Sequence, residues 1–302
     1  MNELYKVSVI VATYRREQEL TRALVSLAEQ DFDSFEIILV DDNADPIWHE
    51  KVLEISRDFQ IRFPKVPLTY VRNTQNLGSA ETRNQGISAA RGEYITFLDD
   101  DDVYFPQKIS AQYAFMRENE LDYSVTDLDL YYDDETLSEH RTRGYLKMAD
   151  RDSLMRYHLV HRITGTDSLM LTKAYLERIG GFPPVNVGDE FYLVERAILG
   201  AGKFGYLPRC DVKAYVHRGG GGLSSGEQKI DGEKRIYAYK KQYYPLLDKK
   251  SIRYIRMRHH AVLAFAYLRM NRMGGFFKEA VFSFIASPVA CVRLFRERKK
   301  KT

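Results

Sequence analysis

Cysteine is scarce in this chain of 302 residues: Cys210 and Cys291 are too few for a disulfide framework, and a reducing compartment is the natural expectation. Glycine is missing where a dinucleotide fold would need it. The first apolar run, Val7-Ser-Val-Ile-Val-Ala12, leads into Thr13-Tyr14-Arg15-Arg16, with no Gly-x-Gly-x-x-Gly and no P-loop. That counts against a nicotinamide or flavin dehydrogenase, and it disfavours a nucleotidyltransferase, which would want a glycine-rich basic loop there. No apolar stretch reaches the roughly 20 residues of a membrane-spanning helix. Met1–Lys6 lacks signal-peptide architecture, so the expected place is the cytoplasm.

Charge is plentiful but unevenly spread. Residues 226–302 carry 19 Lys/Arg against 6 Asp/Glu, whereas residues 1–225 carry 26 against 36. A basic C-terminal third on an acidic body predicts an anionic membrane surface as partner and argues against nucleic acid. Phe277, Val281, Phe284, Ile285, Val289, Val292 and Phe295 recur near one helical face, interrupted by Pro288, and Arg296 to Lys301 form a basic cluster. This is the pattern of an interfacial helix with a polybasic end; packing on the domain, or a homo-oligomer contact, is the alternative.

Hydrophobic periodicity organises the rest. Strand patterns at Val7–Ala12, Phe35–Val40, Leu68–Val71 and Glu93–Leu98 alternate with helical ones around Leu20–Ala28, Val52–Phe59 and Ala80–Ala90. That alternation predicts βαβ units: an α/β, Rossmann-like, doubly wound and mostly parallel sheet. A helix over Gln107–Glu118, a strand over Tyr123–Leu130, a hairpin or surface excursion to Arg143, and a helix over Asp189–Leu199 follow. The glycine run Gly219–Gly222 marks a boundary between a domain of residues 1–225 and a helical, basic region of residues 226–302.

Acidic residues end two of the predicted strands. Asp99-Asp100-Asp101-Asp102 follow Tyr94–Leu98, and Asp41-Asp42 follow the strand at Phe35. Ligands bind at the carboxyl ends of strands in open parallel sheets, and four adjacent carboxylates repel unless a cation relieves them. Hard oxygen donors there suit Mg²⁺ or Mn²⁺ sharing phosphate oxygens with a substrate. A solvated acidic loop and a plain turn are the plainer readings, and Asp102 has a further one as cap of the next helix.

Four blocks stand in an order that resembles family 2 glycosyltransferases. They are Val7 to Arg15, Val40-Asp-Asp-Asn43, Asn76-Leu-Gly-Ser-Ala-Glu-Thr-Arg-Asn84 with Gly86, and Gly92 to Asp102. The resemblance is close over residues 5–105 and looser to about 217. It implies a GT-A fold and inverting, metal-dependent transfer of one sugar from a nucleotide-sugar, a UDP-sugar, to a glycan or lipid-linked acceptor in surface polysaccharide synthesis. It places Thr13 and Tyr14 at the nucleotide base, Asp41 or Asp42 at the base or ribose, and Asn76 among the donor-binding residues. Arg83 falls near the base or diphosphate, Asp101 on the metal, Asp99 on the metal or ribose, and Asp100 beside them.

Breaking the bond from sugar to diphosphate leaves negative charge on oxygen, and a unit charge pair about 4 Å apart is worth roughly 4 kcal/mol at an effective dielectric near 20. Transfer with inversion also needs a base, which the family places in an acidic pair after a Gly-Gly-Phe break. Here Gly180-Gly-Phe182 precedes Asp189-Glu190, with Glu190 in register and Asp189 its rival because the usual order is reversed. Helix-start stabilisation is the plain alternative. His217, before the glycine run, is implied near the metal or diphosphate, where Arg218 and the glycines would make a closing lid. The Gln-x-x-Arg-Trp pattern of processive synthases is absent, and the one tryptophan is Trp48. An inactive nucleotide-binding scaffold of a membrane assembly is the competing class; retention of Asp99, Asp101, Asp189 and Glu190 argues against it.

Overall fold

The computed structural model describes residues 5–144, 146, 150–163, 165–185, 187–216 and 226–299, and the chain divides into two compact units. The first comprises Met1–Ala149, Thr164–Val185 and Asp189–Val216; the second comprises Asp150–Ile163, Asn186–Gly188 and His217–Thr302.

The first unit opens with β1 (Val7–Thr13), α1 (Gln18–Ala28), β2 (Phe35–Asp41), α2 (Pro46–Arg62), β3 (Leu68–Arg72), α3 (Ser79–Ala89) and β4 (Tyr94–Asp99). Every residue of β2 is buried, as expected of a strand covered on both faces. α1 turns Leu20, Ala23, Leu24 and Leu27 inward on its apolar face. Asp45 caps α2 by accepting the Ile47 N–H at 2.9 Å, with Pro46 at the first helical position, where its missing N–H is harmless. After β4 come β5 (Val103–Tyr104), α4 (Lys108–Glu118), β6 (Tyr123–Tyr132) and β7 (Leu137–Arg141). In the second unit, α5 (Arg151–His161) follows; the first unit then resumes with β8 (Leu169–Thr172), α6 (Lys173–Arg178), α7 (Asp189–Leu199) and β9 (Phe204–Val216).

These strands make one nine-stranded mixed sheet in the order β3-β2-β1-β4-β8-β6-β9-β5, with β7 paired to β6. The block β3-β2-β1-β4 is entirely parallel, and β8 meets β4 antiparallel. Thr13 pairs in register with Asp41, and Ala12 with Asp99, so the carboxyl ends of β1, β2 and β4 lie side by side. Close approach is built in at Gly92, where a Cβ would sit 2.5 Å from the Ser8 backbone nitrogen. The hairpin predicted before Arg143 is the β6–β7 pair.

The second unit is helical, with α8 (Gly226–Lys240), a 3-10 segment at Lys241–Leu246, α9 (Lys249–Arg269), α10 (Met273–Ala286) and α11 (Pro288–Lys299) joining α5. Met257 and Ala261 of α9 pack against Ala286 and Cys291, and Ile230 of α8 packs against Leu263 and Ala266. Pro288 ends the run begun in α10 and starts α11. No described helix is long and apolar enough to cross a membrane.

Candidate active site

The acidic turn after β4 is fastened from three directions. The Asp102 N–H donates to the Asp99 carbonyl at 3.1 Å, closing the turn on itself. Thr13 Oγ1 and the Tyr14 N–H both donate to Asp100 Oδ2, at 2.8 and 3.1 Å, which ties the end of β1 to the turn. Arg16 donates to Asp101 Oδ2 at 2.8 Å, and Arg22 to the Asp101 carbonyl at 2.9 Å. Tyr14 leaves its ring exposed above this layer.

Arg83, on α3, spans the site. Its Nη2 donates to Asp99 Oδ1 and its Nη1 to Asp189 Oδ2, both at 2.6 Å, and Ser79 Oγ adds a 3.2 Å bond to Asp189. A buried arginine with a carboxylate on each arm is a strong, geometrically fixed pairing. The start of α7 is brought to α3 by the glycine break. Gly180 and Gly181 take φ of 79° and 57°, and Asn84 clamps Phe182 by accepting its N–H at 3.0 Å and donating to its carbonyl at 2.9 Å. Asp189 is therefore held by α3, while Glu190 beside it is pushed up to about 7 by burial, the Asp189 charge and a hydrogen bond with Asp189.

The pair at the end of β2 lies deeper. Asp41, fully buried, accepts from Asn43 N at 2.9 Å, Asn43 Nδ2 at 2.7 Å and Tyr70 OH at 2.5 Å, and faces His49 Nδ1 at 2.9 Å. Asp42 accepts from Asn73 Nδ2 and the Leu77 N–H, both at 2.8 Å, and from the Gly78 N–H at 3.0 Å. Asn76 reaches the Asp42 carbonyl at 3.4 Å. The two carboxylates thus shape the loop leading into α3, and Asp42 keeps one acceptor position open.

One residue of the site gave no sequence signal. Asp167, in a 3-10 turn at Thr166–Ser168, accepts the Asp99 N–H at 2.6 Å, and ligand atoms of Asp99, Asp102 and Asp167 lie within 4.8 Å of one another. Its neighbours in the chain, Thr166 and Ser168, look like an ordinary polar turn; only the antiparallel entry of β8 beside β4 carries it to the turn. Asp102 does not cap the next helix, which begins at Lys108 without a side-chain cap; it is buried instead and accepts the Tyr215 N–H at 2.8 Å. Lys108 is buried as well, lowered to about 7 by burial, with its ammonium 2.5 Å from Thr96 Oγ1.

The acidic cluster fits a divalent cation. Burial pushes Asp100 and Asp167 up to about 7 and raises Asp99 and Asp102, with neighbouring carboxylates adding to each shift. Oxygen-only donors under such mutual repulsion are what a hard cation relieves. Thr13, Tyr14, Arg83, Asp99, Asp100, Asp101, Asp189 and Glu190 thus converge at the strand ends, with Asp41, Asp42 and Asn76 in the adjoining loop layer. His217, Arg218 and the glycines of the expected lid lie outside the described residues.

The parallel strands ending on an acidic turn, completed by an acidic helix start, belong to a GT-A-like fold. The chain belongs to glycosyl transferase family 2, whose model matches residues 8–178. An uncharacterized glycosyltransferase of Methanocaldococcus jannaschii is 29% identical over 177 residues, which are 57% of this chain and 58% of that protein. The Escherichia coli UDP-Glc:alpha-D-GlcNAc-diphosphoundecaprenol beta-1,3-glucosyltransferase WfgD is 29% identical over 119 residues, 39% of this chain and 44% of WfgD. The matches thus span about half the length of these relatives. Among solved structures, S. aureus TarS 1–349 in complex with UDP-GlcNAc superposes with a TM-score of 0.61 at 20% identity, over 93% of this chain and 91% of that one. The mannosyltransferase PcManGT of Pyrobaculum calidifontis, in complex with GDP-Man and Mn²⁺, gives 0.59 at 15% identity over 98% and 80%. Both likenesses bear on the fold.

Proposed function

We propose that this chain moves one sugar, with inversion, from a UDP-sugar to a hydroxyl of a glycan or lipid-linked acceptor in surface polysaccharide synthesis. The observation that carries the reading is Arg83, which joins Asp99 of the acidic turn to Asp189 at the acidic start of α7. One cation thereby sits between the carboxylates suited to a donor diphosphate and those suited to an acceptor hydroxyl.

In this reading Thr13, Tyr14, Asp42 and Asn76 bind the nucleoside, and Asp41 braces the loop beneath it. Asp99 and Asp101, with Asp102 and Asp167 alongside, would hold Mn²⁺ or Mg²⁺, and His217 is a further candidate ligand. When bound, such an ion neutralises charge on the departing diphosphate. Arg83 and Arg16 orient the phosphates and stabilise the same charge. Glu190 takes the acceptor proton, because a carboxylate near 7 is basic enough to accept it and is still about half ionised at neutral pH. Names of relatives support the substrate class: WfgD is named for a lipid diphosphate acceptor, and TarS was crystallised with UDP-GlcNAc.

The helical region from residue 226 would hold the enzyme at the anionic inner face of the cell membrane. Phe277, Val281, Phe284, Ile285 and Val289 are all more than half exposed, an apolar face far larger than scattered surface residues leave.

The test of the reaction is nucleotide-dependent thermal stabilisation and donor hydrolysis with and without Mn²⁺. UDP with Mn²⁺ should raise the melting temperature, Asp101→Ala should abolish that rise, and chelator should stop turnover. An unchanged rise in Asp101→Ala, or full activity in chelator, overturns the metal assignment.

A further inference from the structure

The turn between β6 and β7 is tied to the acidic turn through one residue, Tyr215 near the end of β9, which is engaged in three directions. Its N–H donates to Asp102 Oδ1 at 2.8 Å. Its ring supports Arg22 of α1, whose guanidinium carbon lies 4.0 Å from the ring centroid, and Arg22 Nη2 goes on to donate to the Asp101 carbonyl at 2.9 Å. Its hydroxyl donates to Glu135 Oε1 at 2.6 Å.

β9 pairs with β6 on one side, where Tyr215 lies in register with Tyr131, and with β5 on the other. The β5 ladder spans only Val103 and Tyr104, and beyond it the Asp102 carboxylate takes the N–H that a further strand residue would have taken. Arg22 is exposed, and a long exposed side chain keeps one conformation only when something holds it. The Tyr215 face attracts the guanidinium and leaves its in-plane N–H groups free to donate. Glu135 anchors the arrangement. It sits in the hairpin turn at φ 64°, a conformation that residues other than glycine rarely adopt, and both of its oxygens are used, Oε1 by Tyr215 and Oε2 by Lys213 Nζ. Those two bonds, Lys213 first, hold its carboxyl below the usual carboxylate range.

Resting on the metal reading above, we propose that Tyr215 is a positioning residue for the divalent ion. It fixes the Asp102 carboxylate directly and the Asp101 backbone through Arg22, and Glu135 of the hairpin turn keeps it in place. Carboxylates that repel one another take up a cation readily only if they are held together before it arrives. Groups that orient a metal's ligands typically contribute about 10- to 100-fold in affinity.

MnCl₂ titrations of the full chain in the presence of UDP, with free Mn²⁺ followed by electron paramagnetic resonance, test this. Tyr215→Leu keeps the N–H and loses the ring, and should weaken Mn²⁺ binding about tenfold. Arg22→Met should weaken it by a similar factor, and the double variant no further, because both act on the Asp101 carbonyl along one path. Tyr215→Phe restores the ring and should return to within about threefold of the unaltered chain, the remainder being the bond to Glu135. Melts in chelator separate packing from positioning: if the Tyr215→Leu melt falls while its Mn²⁺ affinity holds, the residue is structural and the proposal is overturned. Losses that multiply in the double variant overturn it as well. If the unaltered chain binds no Mn²⁺, the metal reading falls and takes this inference with it; if it binds Mn²⁺ and the variants match it, the positioning role alone is overturned.

Discussion

Glu190 and Asp189 are adjacent in sequence yet differ in what holds them, and that difference predicts different kinetics. Asp189 is tied to Arg83 and Ser79, whereas Glu190 is poised near 7. A general base works ionised, so kcat/KM should fall about tenfold per pH unit below roughly 7 and level off above it. Glu190→Gln should cost about 10² to 10⁴ in kcat, keep donor binding and erase that acid limb. Asp189→Asn should chiefly raise donor KM by loosening Arg83; if it erases the limb instead, Asp189 is the base. Asp167 offers a second contrast. Asp167→Ala strands the Asp99 N–H and should cost about 1–3 kcal/mol of stability in a urea melt. Asp167→Asn can still accept that N–H, so it should keep the stability while weakening Mn²⁺ binding measured by electron paramagnetic resonance. Equal loss of stability in both variants would show that the charge, not the acceptor, is what the turn needs. These residues also mark the limit of what a sequence displays. Asp99, Asp101 and Asp189 each stand next to a legible boundary, a strand end or a helix start. Asp167 stands in an unremarkable turn, 68 positions after Asp99, and strand order alone carries it there.

At the scale of elements, β1 to β4 are legible because both faces of each central strand are covered and the helices between them keep their periodicity. β9 is not, since exposed Pro208 and Arg209 interrupt its apolar pattern, and it is the sheet rather than the local sequence that makes it a strand. Close packing makes Gly92 sensitive: a methyl group there would press on the Ser8 backbone, so Gly92→Ala should cost about 1–3 kcal/mol in a denaturant melt. α10 carries the opposite kind of prediction, in which stability stays and location changes. Phe277→Glu with Ile285→Glu should leave the melt unchanged, since both side chains are exposed, and should reduce sedimentation with phosphatidylglycerol vesicles severalfold. Undiminished sedimentation would move the membrane contact away from this helix. Deleting residues 276–302 should have the same effect on sedimentation, although it also removes the packing of Ala286 and Cys291 on Met257.

For the molecule as a whole, strand order matters more than any single pairing. The block β3-β2-β1-β4 is complete by Asp99, and β1 pairs only with β2 and β4 among the described strands. Most of what the proposed reaction asks of the nucleotide side, from Thr13 to Asp102, therefore lies in one uninterrupted stretch of chain, while Asp167, Asp189 and Glu190 come from segments added beyond it. The two specificities are in that sense separately inheritable. A recombinant that joins residues 5–104 of this chain to the later segments of a relative should keep its preference among nucleotide sugars and adopt the relative's acceptor. Competition assays with mixed donors and acceptors would read both choices at once, and evolution has had the same crossover point at its disposal.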